Sequence, residues 1–350
     1  MQSDRRIVSM EELTTVAELQ AALPIKPVVA RRVEGWTKTI EQILLGEDPR
    51  LLVLVGPCSI HSRMGALQFA NSAMQAHLKF QDKLFIVMRS FFAKPRTEIT
   101  RPEHWTGFIN DPLLNGSFEM NLGARQSREI LLAITAMGLP VATEFLDFFE
   151  AQLFDDLVSW GAIGARSSGF QGMRQLGSAL TMPVGFKNDT GGNLDIAIKG
   201  IRTAAMPQTF PAPNKDGLRC KVSSAGNPFG HLVLRGSPGQ PNFGADHVSA
   251  AKVMIRKAGI KTGLGIDFSH DNSGKVPEMH AAITEDVARQ IEAGEDAIRM
   301  IMMESHMIGG RQDHWGRDPH EIIPTLSITD PCEPFKLTER NLEVLANANS

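Results

Sequence analysis

The chain is poor in cysteine, with only Cys58, Cys220 and Cys332 among 350 residues. An odd number of widely spaced thiols makes a poor disulfide framework and suits a reducing compartment. No apolar run approaches the ~18 residues that would cross a bilayer. The first fifteen residues, MQSDRRIVSMEELTT, lack the apolar core of a signal peptide. These absences predict a cytoplasmic protein with no membrane span. A dominant charge is also missing: the formal net charge is -3 and the pI about 6.4, so there is no basic field for nucleic acid or anionic lipid. The expected partners are small molecules. Tyrosine is absent altogether, and nothing physical in the sequence accounts for it.

What is present is ordinary globular material, 42% hydrophobic and 21% charged, which excludes disorder and fibrous repeats. The chain centres on Leu51 to His61, LLVLVGPCSIH. Five apolar residues bounded by Gly56 and Pro57 read as a parallel strand buried on both faces, delivering Cys58 at its end. Residues 1–45 read as an N-terminal extension, helical around Val16 to Leu23 and Val33 to Leu45, packing on the main domain or on a second subunit. Residues 46–350 read as the catalytic domain.

From there strands and helices alternate. Helices are predicted at 64–80, 124–137, 151–160, 173–180, 193–204, 245–258 and 279–292. The strand candidates end at Cys58, Arg89, Glu144, Arg166, Lys187, Arg235, His270 and Glu304. Gln208 to Phe210 is a further short strand candidate, and Pro211 to Gly230 an irregular excursion before the sixth strand is complete. Alternation of this kind implies βαβ units. Eight strand ends, each carrying a polar or ionisable residue, fit a (β/α)8 TIM barrel, where all strands open on one active face. A doubly wound sheet would gather such groups at one switch point only.

Arg89, Arg166, Lys187 and Arg235 place four cations at that mouth. Buried together they need an anion, and arginine forks suit phosphate and carboxylate. Cys58, His270 and Glu304 offer a thiolate, an imidazole and a carboxylate, a set that suits zinc, iron, copper or manganese. Asp330 in SITD is the candidate fourth ligand. KPRT, Lys94 to Thr97, lies on the long loop after the second strand, where Pro95 can present Lys94 inward and Arg96 toward a second phosphate.

These residues resemble the type I 3-deoxy-D-arabino-heptulosonate 7-phosphate (DAHP) synthases. The resemblance runs from about residue 40 to the C-terminus through GPCSIH, MR at 88–89, KPRT, INDP, EFLD, SWGAIGARSS, PVGFKN, HLVLRG, DFSH, ESH and SITD. It implies a metal-dependent aldol-type condensation of phosphoenolpyruvate with erythrose 4-phosphate, releasing phosphate, at the first step of the shikimate pathway and aromatic amino acid biosynthesis. It implies a divalent metal (Mn, Fe, Co or Zn) on Cys58, His270, Glu304 and Asp330. Phosphoenolpyruvate would meet Arg89, Lys94, Arg166, Lys187 and Arg235, with Glu144 nearby, and the phosphate of erythrose 4-phosphate would meet Arg96 and Thr97. Lys94 would give a proton to the new alkoxide, beside Cys58 and His270. The N-terminal arm suggests a homo-dimer or homo-tetramer.

The chain departs from the family at the aldehyde edge. EITRPEHWTGFINDP is a longer connection, Arg166 is followed by Ser167, Ser168 and Gly169, and PAPNKDGLRCKVSS differs from the expected segment. A paralogue of specialised metabolism using a different aldehyde phosphate is the alternative. A non-catalytic regulatory barrel is disfavoured, because it has no reason to retain buried unpaired charge. Phe210, Gln152 and Thr181 fall where an effector pocket or plain core packing would place them.

Overall fold

A computed structural model of the chain describes residues 4–101 and 104–349. In order its elements are α1 (Val16–Ala22), α2 (Pro27–Leu45), β1 (Leu51–Gly56), α3 (Arg63–Phe80), β2 (Leu84–Arg89), α4 (Met120–Met137), β3 (Val141–Glu144), α5 (Phe148–Phe154), β4 (Trp160–Ile163), α6 (Gln171–Ala179), β5 (Val184–Lys187), α7 (Leu194–Ala204), β6 (Gln208–Pro213), β7 (Arg219–Ser224), β8 (His231–Leu234), α8 (Ala245–Lys257), β9 (Leu264–Asp267), α9 (Met279–Glu292), β10 (Ile298–His306), β11 (Ile308–Arg311), a 3-10 turn (Pro319–Glu321), β12 (Leu326–Ser327), β13 (Glu333–Pro334) and α10 (Phe335–Ala348).

Strands β1-β2-β3-β4-β5-β8-β9-β10 form one parallel sheet, and β10 pairs back onto β1 to close it. This is the (β/α)8 barrel the strand rhythm predicts. Its register aligns the strand ends at one face, with Gly56 opposite Glu304, Arg89 opposite Ala142 and Lys187 opposite Val233. The helices begin where local chemistry allows. Ser62 caps α3, Asp147 caps α5 and Asn193 caps α7 by accepting backbone N–H bonds.

Two local expectations change. Trp160 opens β4 instead of ending a helix, because α5 stops at Phe154. Gln208 to Phe210 is a strand, but it pairs antiparallel with β7 in a hairpin outside the barrel. That hairpin is the excursion expected before the sixth barrel strand.

The barrel interior is a packed core, as such barrels require. Leu52, Leu54, Phe85, Val87, Ala142, Trp160, Ala162, Val233, Met300 and Met302 meet there, together with Ile40, Ile43 and Leu44 of α2, all of them buried. Helix α2 therefore plugs the floor, and its Leu44 carbonyl oxygen accepts from Gly263 N–H at 2.8 Å. Pro27 sits at the first turn of α2, where its missing N–H costs nothing, so the helix starts earlier than its apolar spacing suggests. Helix α1 packs beside α5 and the hairpin, with Ala17 N–H donating to Lys215 O at 2.9 Å.

Also near the floor, Trp160 Nε1–H donates to His231 Nε2 at 3.1 Å, while His231 Nδ1 faces the Phe229 carbonyl at 3.2 Å. The two contacts fix a neutral tautomer with its proton on Nδ1. Burial holds His231 down to about 4, His61 to about 4 and His306 to about 3. Unfolded histidines take up protons near pH 6.5. Between those values the unfolded chain binds more protons, so stability falls as pH drops from about 6.5 toward 4, by up to about 1.4 kcal/mol per pH unit for each histidine. Urea midpoints measured between pH 7 and pH 4.5 should fall accordingly, and His231→Asn should flatten the slope. A pH-independent midpoint would contradict the assignment.

Candidate active site

Gly56 is required at the end of β1, because a Cβ there would lie 2.6 Å from the Arg89 carbonyl oxygen. The tight passage brings Cys58 into the mouth, where its N–H faces Cys332 Sγ at 3.3 Å and its Sγ lies 3.6 Å from Asp330 Oδ2. Asp330 arrives from the neighbouring β10 side of the barrel. Strand β10 runs past Glu304 and pairs with β13, Ser305 against Glu333, which draws the segment after β12 alongside the mouth.

Arg89, at the end of β2, is buried. It donates to Glu304 Oε1 at 2.9 Å and to Met302 Sδ at 2.7 Å, and its guanidinium lies 4.0 Å over the Phe91 ring. Lys187 donates to Asp267 Oδ2 at 2.7 Å, and Arg235 to Asp271 Oδ2 at 2.5 Å. Arg166 Nε donates to Thr97 Oγ1 at 2.8 Å, and Arg96 Nε to the Trp105 carbonyl at 2.9 Å. Glu144 lies against Gly164, where any Cβ would collide with its Oε1.

All twelve residues singled out from the sequence, Cys58, Arg89, Lys94, Arg96, Thr97, Glu144, Arg166, Lys187, Arg235, His270, Glu304 and Asp330, line one cavity of about 390 Å³. Seven cations and four carboxylates line it, and Asp267 and Asp271 outside the lining offset Lys187 and Arg235, a balance that still leaves arginine forks open to an anion.

Within this cavity the donor atoms of Cys58, Glu304 and Asp330 lie within 4.8 Å of one another. His270 stands at their edge, with Nε2 3.8 Å from Glu304 Oε1 and Nδ1 3.0 Å from Asp267 Oδ2, the latter outside hydrogen-bond alignment. One sulfur, two carboxylates and an imidazole with a third carboxylate, Asp267, behind it fit a divalent transition metal and its outer shell. The protonation pattern agrees. Burial and the Glu304 charge push the Cys58 thiol up to about 11, outweighing Lys94, so a bound cation would have to displace its proton. Burial would lower the Lys94 ammonium, yet the charges of Asp330, at 2.9 Å, and Glu304 outweigh it and hold the amine charged, with Cys58 Sγ at 2.8 Å as a further acceptor. Burial would raise Asp330, Glu304 and Asp267; Lys94 chiefly holds the first ionised, His270 and Arg89 the second, Lys187 and His270 the third.

Sequence reasoning missed Asp267, Asp271 and Lys275. Asp267 was visible as the first residue of DFSH at a strand end, but only the fold shows that it neutralises Lys187. Glu98 and His104, on the lengthened loop, also reach the cavity. Because Lys187 and Asp267 are both buried, Asp267→Asn leaves an uncompensated charge and should cost about 3–5 kcal/mol in urea unfolding. A loss under about 1 kcal/mol would mean that Lys187 finds another partner.

Fold and site together define a (β/α)8 barrel whose cavity at the strand ends is lined by seven cations, four carboxylates and a cysteine. Comparison with known proteins narrows the class. The model of the DAHP synthetase I family matches residues 20–343. Among curated proteins the chain is 43% identical over 343 residues to the Trp-sensitive phospho-2-dehydro-3-deoxyheptonate aldolase of Escherichia coli (strain K12), covering 98% of this chain and 97% of that one. It is 42% identical, with the same coverage, to the protein of that name from Buchnera aphidicola. Among solved structures, the phospho-2-dehydro-3-deoxyheptonate aldolase of Francisella tularensis superposes with a TM-score of 0.94 at 37% identity, covering 98% of both chains. The chain belongs to the DAHP synthetase I family. It is an enzyme, an aldolase-type transferase.

Proposed function

We propose that the protein condenses phosphoenolpyruvate with erythrose 4-phosphate to give 3-deoxy-D-arabino-heptulosonate 7-phosphate and phosphate, with a divalent metal. The observation that carries this reading is the convergence of all twelve residues on one cavity with a cationic excess. Arg89, Arg166, Lys187 and Arg235 hold the carboxylate and phosphate of phosphoenolpyruvate, and Glu144 borders them. Arg96 and Thr97 take the aldehyde phosphate, and the Arg166–Thr97 bond joins the two anion sites. A metal on Cys58, His270, Glu304 and Asp330 supplies Lewis acidity toward the aldehyde carbonyl when bound. C3 of phosphoenolpyruvate attacks that carbon, and Lys94, held charged beside Asp330, donates the proton its oxygen needs. Water adds at C2 and its first proton restores the Lys94 ammonium; the C2–O bond to phosphate then breaks as the new C2 hydroxyl yields its proton to the departing phosphate, leaving the ketone.

The protein acts in the cytoplasm as a homo-dimer or homo-tetramer, with residues 1–45 an extension to a barrel spanning 46–350. The exposed Ile7, Val8, Met10 and Leu13 of the arm support association. Glu98 and His104 at the cavity rim favour a second reading, a different aldehyde phosphate. Phosphate release by metal-reconstituted protein, with product mass, separates them. Erythrose 4-phosphate-dependent release of the seven-carbon product is expected; release with another aldehyde only would establish the second reading, and none with any would sink both. Lys94→Met should lower kcat at least ~100-fold.

The relatives are named as Trp-sensitive, and a second cavity of about 200 Å³ lies between α5, α6 and the hairpin, lined by Gln152, Asp155, Thr181, Phe210 and Lys215 among others. It offers an aromatic wall with one carboxylate and one ammonium for a zwitterion, so we assign it to an aromatic amino acid effector. Tryptophan should inhibit and raise the melting temperature, and Phe210→Ala should abolish both effects. No response to tryptophan or phenylalanine would remove this role.

A further inference from the structure

The loop after β9 contains a connection that the catalytic reading leaves unused. From His270 to Lys275 the chain makes one tight turn, closed by Lys275 N–H donating to the His270 carbonyl oxygen at 2.7 Å. Both ends are left-handed, His270 at φ 55° and Lys275 at φ 63°. Side chains with a Cβ adopt that conformation only where their surroundings impose it.

Three side-chain anchors impose it here. Asp271 pairs with Arg235 at 2.5 Å. Asn272 Nδ2 donates to the carbonyls of Leu234 at 3.2 Å and Asp267 at 2.8 Å. Lys275 Nζ donates to Asp330 Oδ1 at 3.1 Å. The two oxygens of Asp330 therefore have different partners. Oδ1 takes Lys275 from the rim, while Oδ2 turns inward, 3.6 Å from Cys58 Sγ and 2.9 Å from Lys94 Nζ.

We propose that Lys275 is a positioning residue for the candidate metal centre, its backbone setting His270 and its ammonium setting Asp330. One residue thereby fixes the relation between two donors that come from separate segments, the β9 loop and the stretch after β12. Outer-shell groups that orient ligands in this way commonly govern metal affinity. The opposing effect is repulsion between the ammonium and a bound cation. The Lys275 side chain is 53% exposed, so water screens that repulsion, whereas the bond to Asp330 still fixes which oxygen turns inward. Orientation is the larger effect, and loss of Lys275 should weaken binding.

The inference rests on reading Cys58, His270, Glu304 and Asp330 as metal ligands, and the test separates the two. Metal-free wild type, Lys275→Met, Lys275→Arg and Asp330→Asn are titrated with Co²⁺ against a chromophoric chelator, and the visible absorption of the bound cobalt is recorded. Lys275→Met should bind Co²⁺ on the order of 10-fold more weakly with an altered spectrum, Lys275→Arg should stay within about threefold of wild type, and the melting temperature of the metal-free protein should not change. If Asp330→Asn weakens binding and Lys275→Met does not, the positioning role is overturned while the metal centre stands. If Lys275→Met weakens binding only in step with a lower metal-free melting temperature, and arginine does not rescue it, Lys275 is merely structural and the proposal fails. If Asp330→Asn binds as wild type does, the metal reading falls and takes this inference with it.

Discussion

The buried pair between Arg89 and Glu304, 2.9 Å apart and almost without solvent, bridges β2 and β10 across the end of β1. Two charges taken out of water are tolerated only with close geometry and further hydrogen bonds. That requirement spreads through the mouth. Arg89 also needs the Met302 sulfur and the Phe91 face, Lys187 needs Asp267, and Arg235 needs Asp271. Lys187 and Arg235 are held by acids outside the cavity wall, while Arg89, Lys94 and Lys275 pair with acids that share the wall with them. These contacts orient the charged groups of the mouth from within the protein, which is the arrangement electrostatic preorganisation requires.

Orientation at the mouth depends on the floor. With Ile40, Ile43 and Leu44 of α2 filling one end and the Trp160–His231 contact tying β4 to β8, the barrel interior has no room to relax. The strand ends are then free to carry polar groups, because the core beneath them is complete. The loops that follow carry the chemistry, and one of them holds two left-handed residues, His270 and Lys275, in a turn that is bonded to the end of β8, to β9 and to Asp330. Strain collects where function is built.

Much of this was legible beforehand. Apolar runs ending in a single polar residue, from Cys58 to Glu304, placed eight strand ends on one face, since a parallel barrel has only one such face. Eight of the twelve site residues followed from that, whereas Lys94, Arg96, Thr97 and Asp330 came from the KPRT and SITD motifs and the family resemblance they carry. Trp160 was misplaced because a periodic pattern cannot tell the end of a helix from the start of a buried strand. Asp267, Asp271 and Lys275 were missed because a counter-ion has no signature of its own until its partner is located.

The sequence by itself determined the barrel and the chemical types at its mouth, because alternation and strand-end polarity are local properties of the chain. Tertiary structure alone decided the pairings: that β10 runs beside both β1 and β13, that Asp330 reaches Cys58 across 272 residues, and that Lys94 lies between them. Those are matters of distance between remote segments. Distance depends on how the sheet closes, which no local pattern records.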